Sequence, residues 1–192
     1  MPRAGLTRQA VVELALAVVD DGGPHGFEAL TLAAVAARAG VAVPSLYKHV
    51  AGLPDLRRAV VLACVAGMTE AVESPAAGLA GPPATRAMAD AIRAFAHASP
   101  GRYLAAQLPT WADDPEAGEI RAAAAHSIEV IASSLRGLGI PAGREIDAIR
   151  ALRAALHGFI LFELTGGFRM ADDVDESYRY LVTTLVAGLS RS

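Results

Sequence analysis

Ser45, Tyr47, Lys48 and His49 fall within five positions of one another, in the stretch GVAVPSLYKHV that spans residues 40–50, and Lys48 is the only lysine in the chain. Two hydroxyls, an ammonium and an imidazole are all groups that donate hydrogen bonds to anionic oxygens. Val43 and Pro44 add apolar surface of the kind that meets a thymine methyl or a sugar. This mixture suits phosphate and base-edge contacts on a nucleic acid. Pro44, with its φ pre-set and no N–H to lose, marks where a short helix begins. So short a helix is not stable alone and is useful only if a scaffold presents it.

The scaffold can be read from the flanking residues. Thr7 is a good helix N-cap, and Val11, Leu14, Ala15 and Val18 follow with helical spacing until DDGGP ends the run. A connector with Phe27 leads to Thr31, a second N-cap, and the helix LAAVAARA stops at Gly40. Ala36 allows close packing, Gly40 makes the turn, and Val41 and Leu46 plug the core beneath the third helix. Val43, Pro44, Ser45, Tyr47, Lys48 and His49 are expected on its outer side. A long apolar helix then runs from about 54 to 71, and the breaker-rich SPAAGLAGPP (74–83) reads as a loop. Further helices are expected at 84–98, 101–109, 115–136, 143–166 and 174–190. With no β alternation and no internal repeat, the expected fold is all-α, with about nine helices. A small N-terminal helix-turn-helix module precedes a larger C-terminal bundle.

Composition agrees. The chain has 192 residues, 53% of them hydrophobic and only 5% aromatic, enough apolar content for a sizeable core and, with alanine so abundant, a bias towards helix. The net charge of −3 gives no global sign of nucleic acid. Its distribution is uneven, with residues 1–60 at +1 and the remainder at −4. A single cysteine, Cys64, cannot form an internal disulfide and fits a reducing cytoplasm. Charged residues interrupt the N-terminal apolar run, which therefore does not resemble a signal peptide, and no stretch of about 18 uncharged apolar residues suggests a membrane span.

Over residues 8–68 the sequence resembles the TetR family of transcriptional regulators. The resemblance lies in Thr7-Arg8, in Phe27-Glu28-Ala29-Leu30-Thr31, and in the Leu-x-x-Val-Ala-x-x-Ala-Gly-Val run. It continues through Leu46-Tyr47-Lys48-His49-Val50 to Asp55-Leu56. It implies a DNA-binding domain at 8–68 with its helix-turn-helix at 31–50. In that domain Thr31, Ser45, Tyr47 and His49 hold phosphates, while Ala42, Val43, Pro44 and Lys48 approach base edges. A homodimer of this kind places two reading helices in successive major grooves of double-stranded DNA, which calls for a palindromic operator. Members commonly carry a lysine near the start of the fourth helix; here the position is Leu53, so one phosphate contact per half-site is expected to be missing, with Arg57 or Arg58 as replacements.

Residues 84–192 resemble the effector-binding and dimerisation domain of the same family, through Pro100-Gly101-Arg102-Tyr103, Pro109-Thr110-Trp111 and Leu156-His157-Gly158-Phe159. This implies a cavity for a small, mostly apolar effector and a dimer made by the last two helices. Phe95, Tyr103, Trp111, His126, His157, Phe159 and Phe162 are the candidates to orient that effector. Leu152, Leu156, Phe159, Ile160, Glu163 and Leu164 on one helix, and Tyr178, Leu181, Val182, Leu185, Val186 and Leu189 on the next, are the candidate dimer faces. The resulting expectation is a cytoplasmic regulator, a repressor released from its operator by the effector. A small-molecule carrier without DNA affinity is the alternative that Leu53 favours. An enzyme is disfavoured, since the sequence contains no Gly-x-Ser-x-Gly elbow, phosphate loop or paired-carboxylate motif. The histidines are too dispersed for a metal site and no cofactor is implied. Cys64 is expected to be an inert packing residue.

Overall fold

The structure, a computed structural model, describes residues 6–109 and 111–190; Thr110 of the Pro109-Thr110-Trp111 motif lies outside them. Among the described residues are eight α-helices, two 3-10 helices and no strand. The α-helices are α1 (Arg8–Asp21), α2 (Leu32–Ala39), α3 (Leu53–Ala76) and α4 (Gly81–Ala98), followed by α5 (Pro100–Ala106), α6 (Gly118–Leu135), α7 (Glu145–Leu164) and α8 (Val174–Leu189). The 3-10 helices are Gly23–His25 and Val43–Lys48. The chain folds into two compact units that are discontinuous in sequence: Met1–Ala66 with Ser99–Ala123, and Gly67–Ala98 with Ala124–Ser192.

In the first unit, Val11, Ala15 and Val19 lie one turn apart on α1 and are fully buried, packed with Leu30, Val35, Leu46, Leu56 and Val60. Each such valine or leucine contributes about 1.5–3 kcal/mol by leaving water. Leu14 and Val18, read from the spacing as core, are partly buried against the same cluster. Helix α5 packs on α1 at very close range, because a Cβ on Gly101 would lie 2.6 Å from the Gly23 carbonyl oxygen and 2.8 Å from that of Val19. Arg102, the next residue, pairs with Asp20 of α1 through Nε and Oδ1 at 2.8 Å. Backbone cannot yield as a flexible side chain would. Gly101→Ala is therefore expected to destabilise the protein by about 1–3 kcal/mol, seen as a lower thermal midpoint.

In the second unit, α4, α7 and α8 pack against one another in pairs. Met88, Ala89, Leu152, Leu156, Ile160, Tyr178, Val182 and Val186 form buried positions on these helices. Arg93 of α4 ties the three together. Its Nε lies 3.0 Å from Glu163 Oε2 on α7, its Nη2 lies 2.6 Å from Asp175 Oδ1 on α8, and its guanidinium sits 4.6 Å from the centre of the Tyr178 ring. The Tyr178 hydroxyl donates to the Ala89 carbonyl at 2.6 Å.

Several expectations change here. The loop expected at 74–83 shrinks to Ala77–Ala80, because α3 runs through Pro75 in its last turn and α4 opens at Gly81 with Pro82 and Pro83 in its first turn. Proline is tolerated in a first turn, whose N–H groups have no intrahelical partner. No run of about 18 uncharged apolar residues occurs, since Asp55, Arg57, Arg58, Glu70 and Glu73 interrupt α3, although by length and composition α3 could cross a membrane, with a mean hydropathy of 1.3 over its most apolar part. It spends those residues on packing, Leu56, Val60 and Cys64 in one cluster and Val61 and Val65 in another. Most of the residues assigned to a dimer face are core within one chain. Leu152, Leu156, Ile160, Tyr178, Val182, Val186 and Leu189 are all buried, and the large apolar side chains left exposed on α7 and α8 are Ile146, Leu161, Phe162 and Tyr180.

Candidate nucleic-acid interface

The turn before the reading segment is closed as the glycine suggests. Gly40 has φ +66°, its N–H bonds the Ala37 carbonyl at 3.1 Å, and the Val41 N–H bonds the Ala36 carbonyl at 3.1 Å. This paired geometry is a Schellman motif, and it needs a residue that adopts left-handed φ without cost. From Ala42 the chain enters the Val43–Lys48 helix, with Pro44 in its first turn, and Ser45 N–H bonds the Ala42 carbonyl at 2.9 Å. Leu46 is the one buried side chain of the segment, at 0% exposure. Around it Ala42, Pro44, Tyr47 and Lys48 are exposed, and Ser45 and His49 are half-buried. Val43 is not on the outer face as expected. It packs partly buried against the first core cluster, since a valine at the helix start gains more by covering Leu46's neighbours than by facing water.

Two residues that sequence reasoning gave no role hold the far end of this helix. Arg8 donates from Nη1 to the His49 carbonyl at 3.1 Å and grips Asp55 through two bonds of 2.8 and 2.7 Å. Asp55 Oδ2 in turn accepts from the Ala51 N–H at 2.9 Å. The clamp thus joins the start of α1, the exit of the reading helix and the start of α3. Hydrogen bonding from Arg8 pulls the Asp55 carboxyl down to about 2, against the opposing effect of partial burial. A carboxyl depressed in the folded state stabilises it above the ordinary carboxyl range, and that contribution is lost as pH falls through about 2. Asp55→Asn is therefore expected to cost about 1–2 kcal/mol at pH 7, a figure that allows for the half-exposed Arg8. It should flatten the loss of stability between pH 4 and pH 2, as checked by urea denaturation across that range.

Thr31 caps α2, its Oγ1 accepting from the Ala34 N–H at 3.1 Å, and it is exposed. A hydroxyl that accepts from its own helix still has its proton to give, so capping and phosphate donation are compatible. Leu53 opens α3 and packs partly buried against the core, where an ammonium would not be placed. Both arginines make contacts within the chain. Arg57 turns its Nη2 to the carbonyls of Glu28 and Leu30, at 3.3 and 3.4 Å, and Arg58 pairs with Asp114 at 3.2 Å and with Glu116.

The surface so assembled is a short helix with an exposed polar and apolar face, seated by a buried leucine and pinned at its exit. The family model described as "Bacterial regulatory proteins, tetR family" matches residues 23–50, the connector, α2 and the reading helix. A second, "Tetracyclin repressor-like, C-terminal domain", matches residues 85–185. An uncharacterised HTH-type transcriptional regulator of Mycobacterium tuberculosis is 38% identical to the chain, over 98% of it and 84% of the relative. The chain belongs to the TetR family. It is thus a helix-turn-helix transcriptional regulator. Solved structures share the fold at lower identity. BioQ of Mycobacterium smegmatis with its double-stranded DNA operator is 21% identical, with a TM-score of 0.60 over 98% of this chain and 100% of that one. A TetR variant from Acinetobacter baumannii in complex with minocycline is 22% identical, with a TM-score of 0.66 over 97% and 98%.

The seven residues expected to orient an effector in a TetR C-terminal domain are divided between the two units. Tyr103, 1% exposed, and Trp111 belong to the first unit. Phe95, His126, His157, Phe159 and Phe162 belong to the second. Phe159 stacks between Phe168 and Tyr178, with ring centres 4.7 and 5.3 Å away, and Phe162 lies 5.7 Å from Phe168. His126 is exposed, with Nε2 3.3 Å from Glu73 Oε1. Burial, reinforced by the charge of Arg153, lowers the His157 pKa. Cys64 is 1% exposed with its thiol pushed up to about 12 by burial, so thiolate chemistry is closed to it. Among the described residues no cluster of three or more His, Cys, Asp or Glu is arranged to hold a metal ion.

Proposed function

We propose that this TetR-family regulator is a repressor that binds a palindromic operator as a homodimer and leaves it when a small, mostly apolar effector binds. The observation that carries the reading is the exposed face of Pro44, Tyr47 and Lys48 around a buried Leu46. Tyr47, 56% exposed on this short segment, leaves much of a large side chain outside the fold and free for contact. Thr31, Ser45, Tyr47 and His49 take phosphates, and Ala42, Pro44 and Lys48 meet base edges, with Val43 reaching only the groove wall. The DNA operator and the minocycline held in two solved structures of like fold support both halves of the proposal. A reporter driven by a promoter carrying the operator should be silenced by the protein and freed when it is deleted. Unchanged transcription would remove the repressor assignment.

The homodimer is supported by the apolar side chains that α7 and α8 leave outside, Leu161, Phe162 and Tyr180, together with Ile146. Their number exceeds the scattered exposure a monomer needs no reason for. Sedimentation equilibrium at micromolar concentration should give twice 19.8 kDa, and Phe162→Glu should shift the mass towards one chain. A single-chain mass for the unaltered protein would contradict it.

A further inference from the structure

The first unit contains a cleft of about 340 Å³ lined by Phe27, Arg57, Arg58, Leu108, Trp111 and Asp114, among others. Its walls are largely apolar, and its polar groups are not equally occupied. Arg58 is neutralised by Asp114 and Glu116. Glu28, also on the lining, has its carboxylate 3.6 Å from His25 Nδ1. Arg57 has no carboxylate partner among the described residues. Its guanidinium lies 5.7 Å from the centre of the Phe27 ring, and its Nη2 makes only the two long bonds to backbone carbonyls. Two buried donors of residues on this lining, Arg57 Nε and Trp111 Nε1, have no acceptor among the described residues. A buried donor without an acceptor is costly and rare, and here two of them belong to residues that share one cleft.

We infer that this cleft binds a small organic acid, an apolar body of about one ring lying among Phe27, Leu108 and Trp111 with its carboxylate on the Arg57 guanidinium and the Trp111 indole. The volume is at the lower end of ligand pockets, which span roughly 300–1,000 Å³, and so favours a single-ring acid over a larger molecule. Arginine and indole N–H groups supply donors only, and the acceptor they lack is what a carboxylate brings. The site has a regulatory consequence. A carboxylate on Arg57 competes for the donors that now hold the Glu28 and Leu30 carbonyls, and those carbonyls lie in the connector that delivers Thr31 and α2. Bound acid therefore loosens the entry to the helix-turn-helix and weakens DNA binding. The consequence rests on the proposed DNA reading; the binding step does not.

Trp111 is the only tryptophan in the chain, so its fluorescence reports on this cleft alone. Titration of the full chain, without DNA, with phenylacetate, phenylacetamide and phenethylamine compares three head groups on one body. Phenylacetate is expected to change the emission saturably with Kd at or below about 1 mM. The amide and the amine should bind at least about tenfold more weakly, and Arg57→Gln should weaken the acid by about tenfold. Acid preference in the unaltered protein decides the matter even if the variant folds poorly. An amide or amine that binds as tightly as the acid, or no saturable change with any of the three, overturns the assignment. If phenylacetate saturates the cleft but leaves the affinity for operator DNA unchanged, the binding site stands and its regulatory role is overturned.

Discussion

Tyr47→Ala combined with His49→Ala is expected to lower operator affinity by on the order of a thousandfold, with the thermal midpoint almost unmoved. The proposed dimer would present each side chain twice, so the double variant would remove four of the proposed hydrogen bonds to phosphate. At about 0.5–1.5 kcal/mol net for each, the loss centres on roughly 4 kcal/mol, close to three powers of ten. Tyr47 is exposed and His49 half-buried, and neither belongs to the core cluster around Leu46. Stability should therefore change by about 0.5 kcal/mol, as for other surface substitutions. Gel retardation and a thermal melt on the same preparation separate the two effects. Retained affinity at an unchanged midpoint would mean that this face does not meet DNA.

Leu46→Ala should do the converse, costing both stability and DNA binding. Leu46 is the one fully buried side chain of the Val43–Lys48 helix, set among residues of α1, α2 and α3 with Val43 partly buried against the same cluster. Removing it leaves a cavity that small neighbours such as Ala15 and Ala36 cannot fill, so a loss of about 2–5 kcal/mol is expected. Urea denaturation measures that loss. Operator affinity should fall even under conditions where the variant remains folded, because the partly buried Val43 is then the main inner contact left to these six residues. A variant that binds DNA normally would show that the Arg8–Asp55 clamp alone seats the reading helix.

These two residues also show what was legible from the sequence. Gly40, Pro44, Thr31 and Leu46 act through their own or adjacent turns, so their residue types announce their roles. The clamp was not legible, because Arg8 and Asp55 meet across 47 positions and neither spacing nor composition links them. Val43 was misplaced for a related reason: on a six-residue helix there is no period long enough to separate inner from outer positions. In the second unit, helical spacing identified apolar faces on α7 and α8 but not what covers them. Tyr178, Val182 and Val186 turn out to be core because α4 lies against both helices, and the exposed set is shifted to Leu161, Phe162 and Tyr180. The glycines and prolines at 74–83 signal a loop by residue type, whereas Pro82 and Pro83 occupy a first helical turn, where a missing N–H costs no intrahelical bond. The seven effector candidates came from resemblance and residue type alone, and the structure distributes them over two units.

Selection of bound duplexes from a random pool tests the central claim most directly. The account predicts enrichment of an inverted repeat whose half-sites are centred about one helical turn apart, an enrichment abolished by the Tyr47 and His49 substitutions. Failure to enrich any sequence above the unselected pool, or enrichment that survives those substitutions, would contradict it.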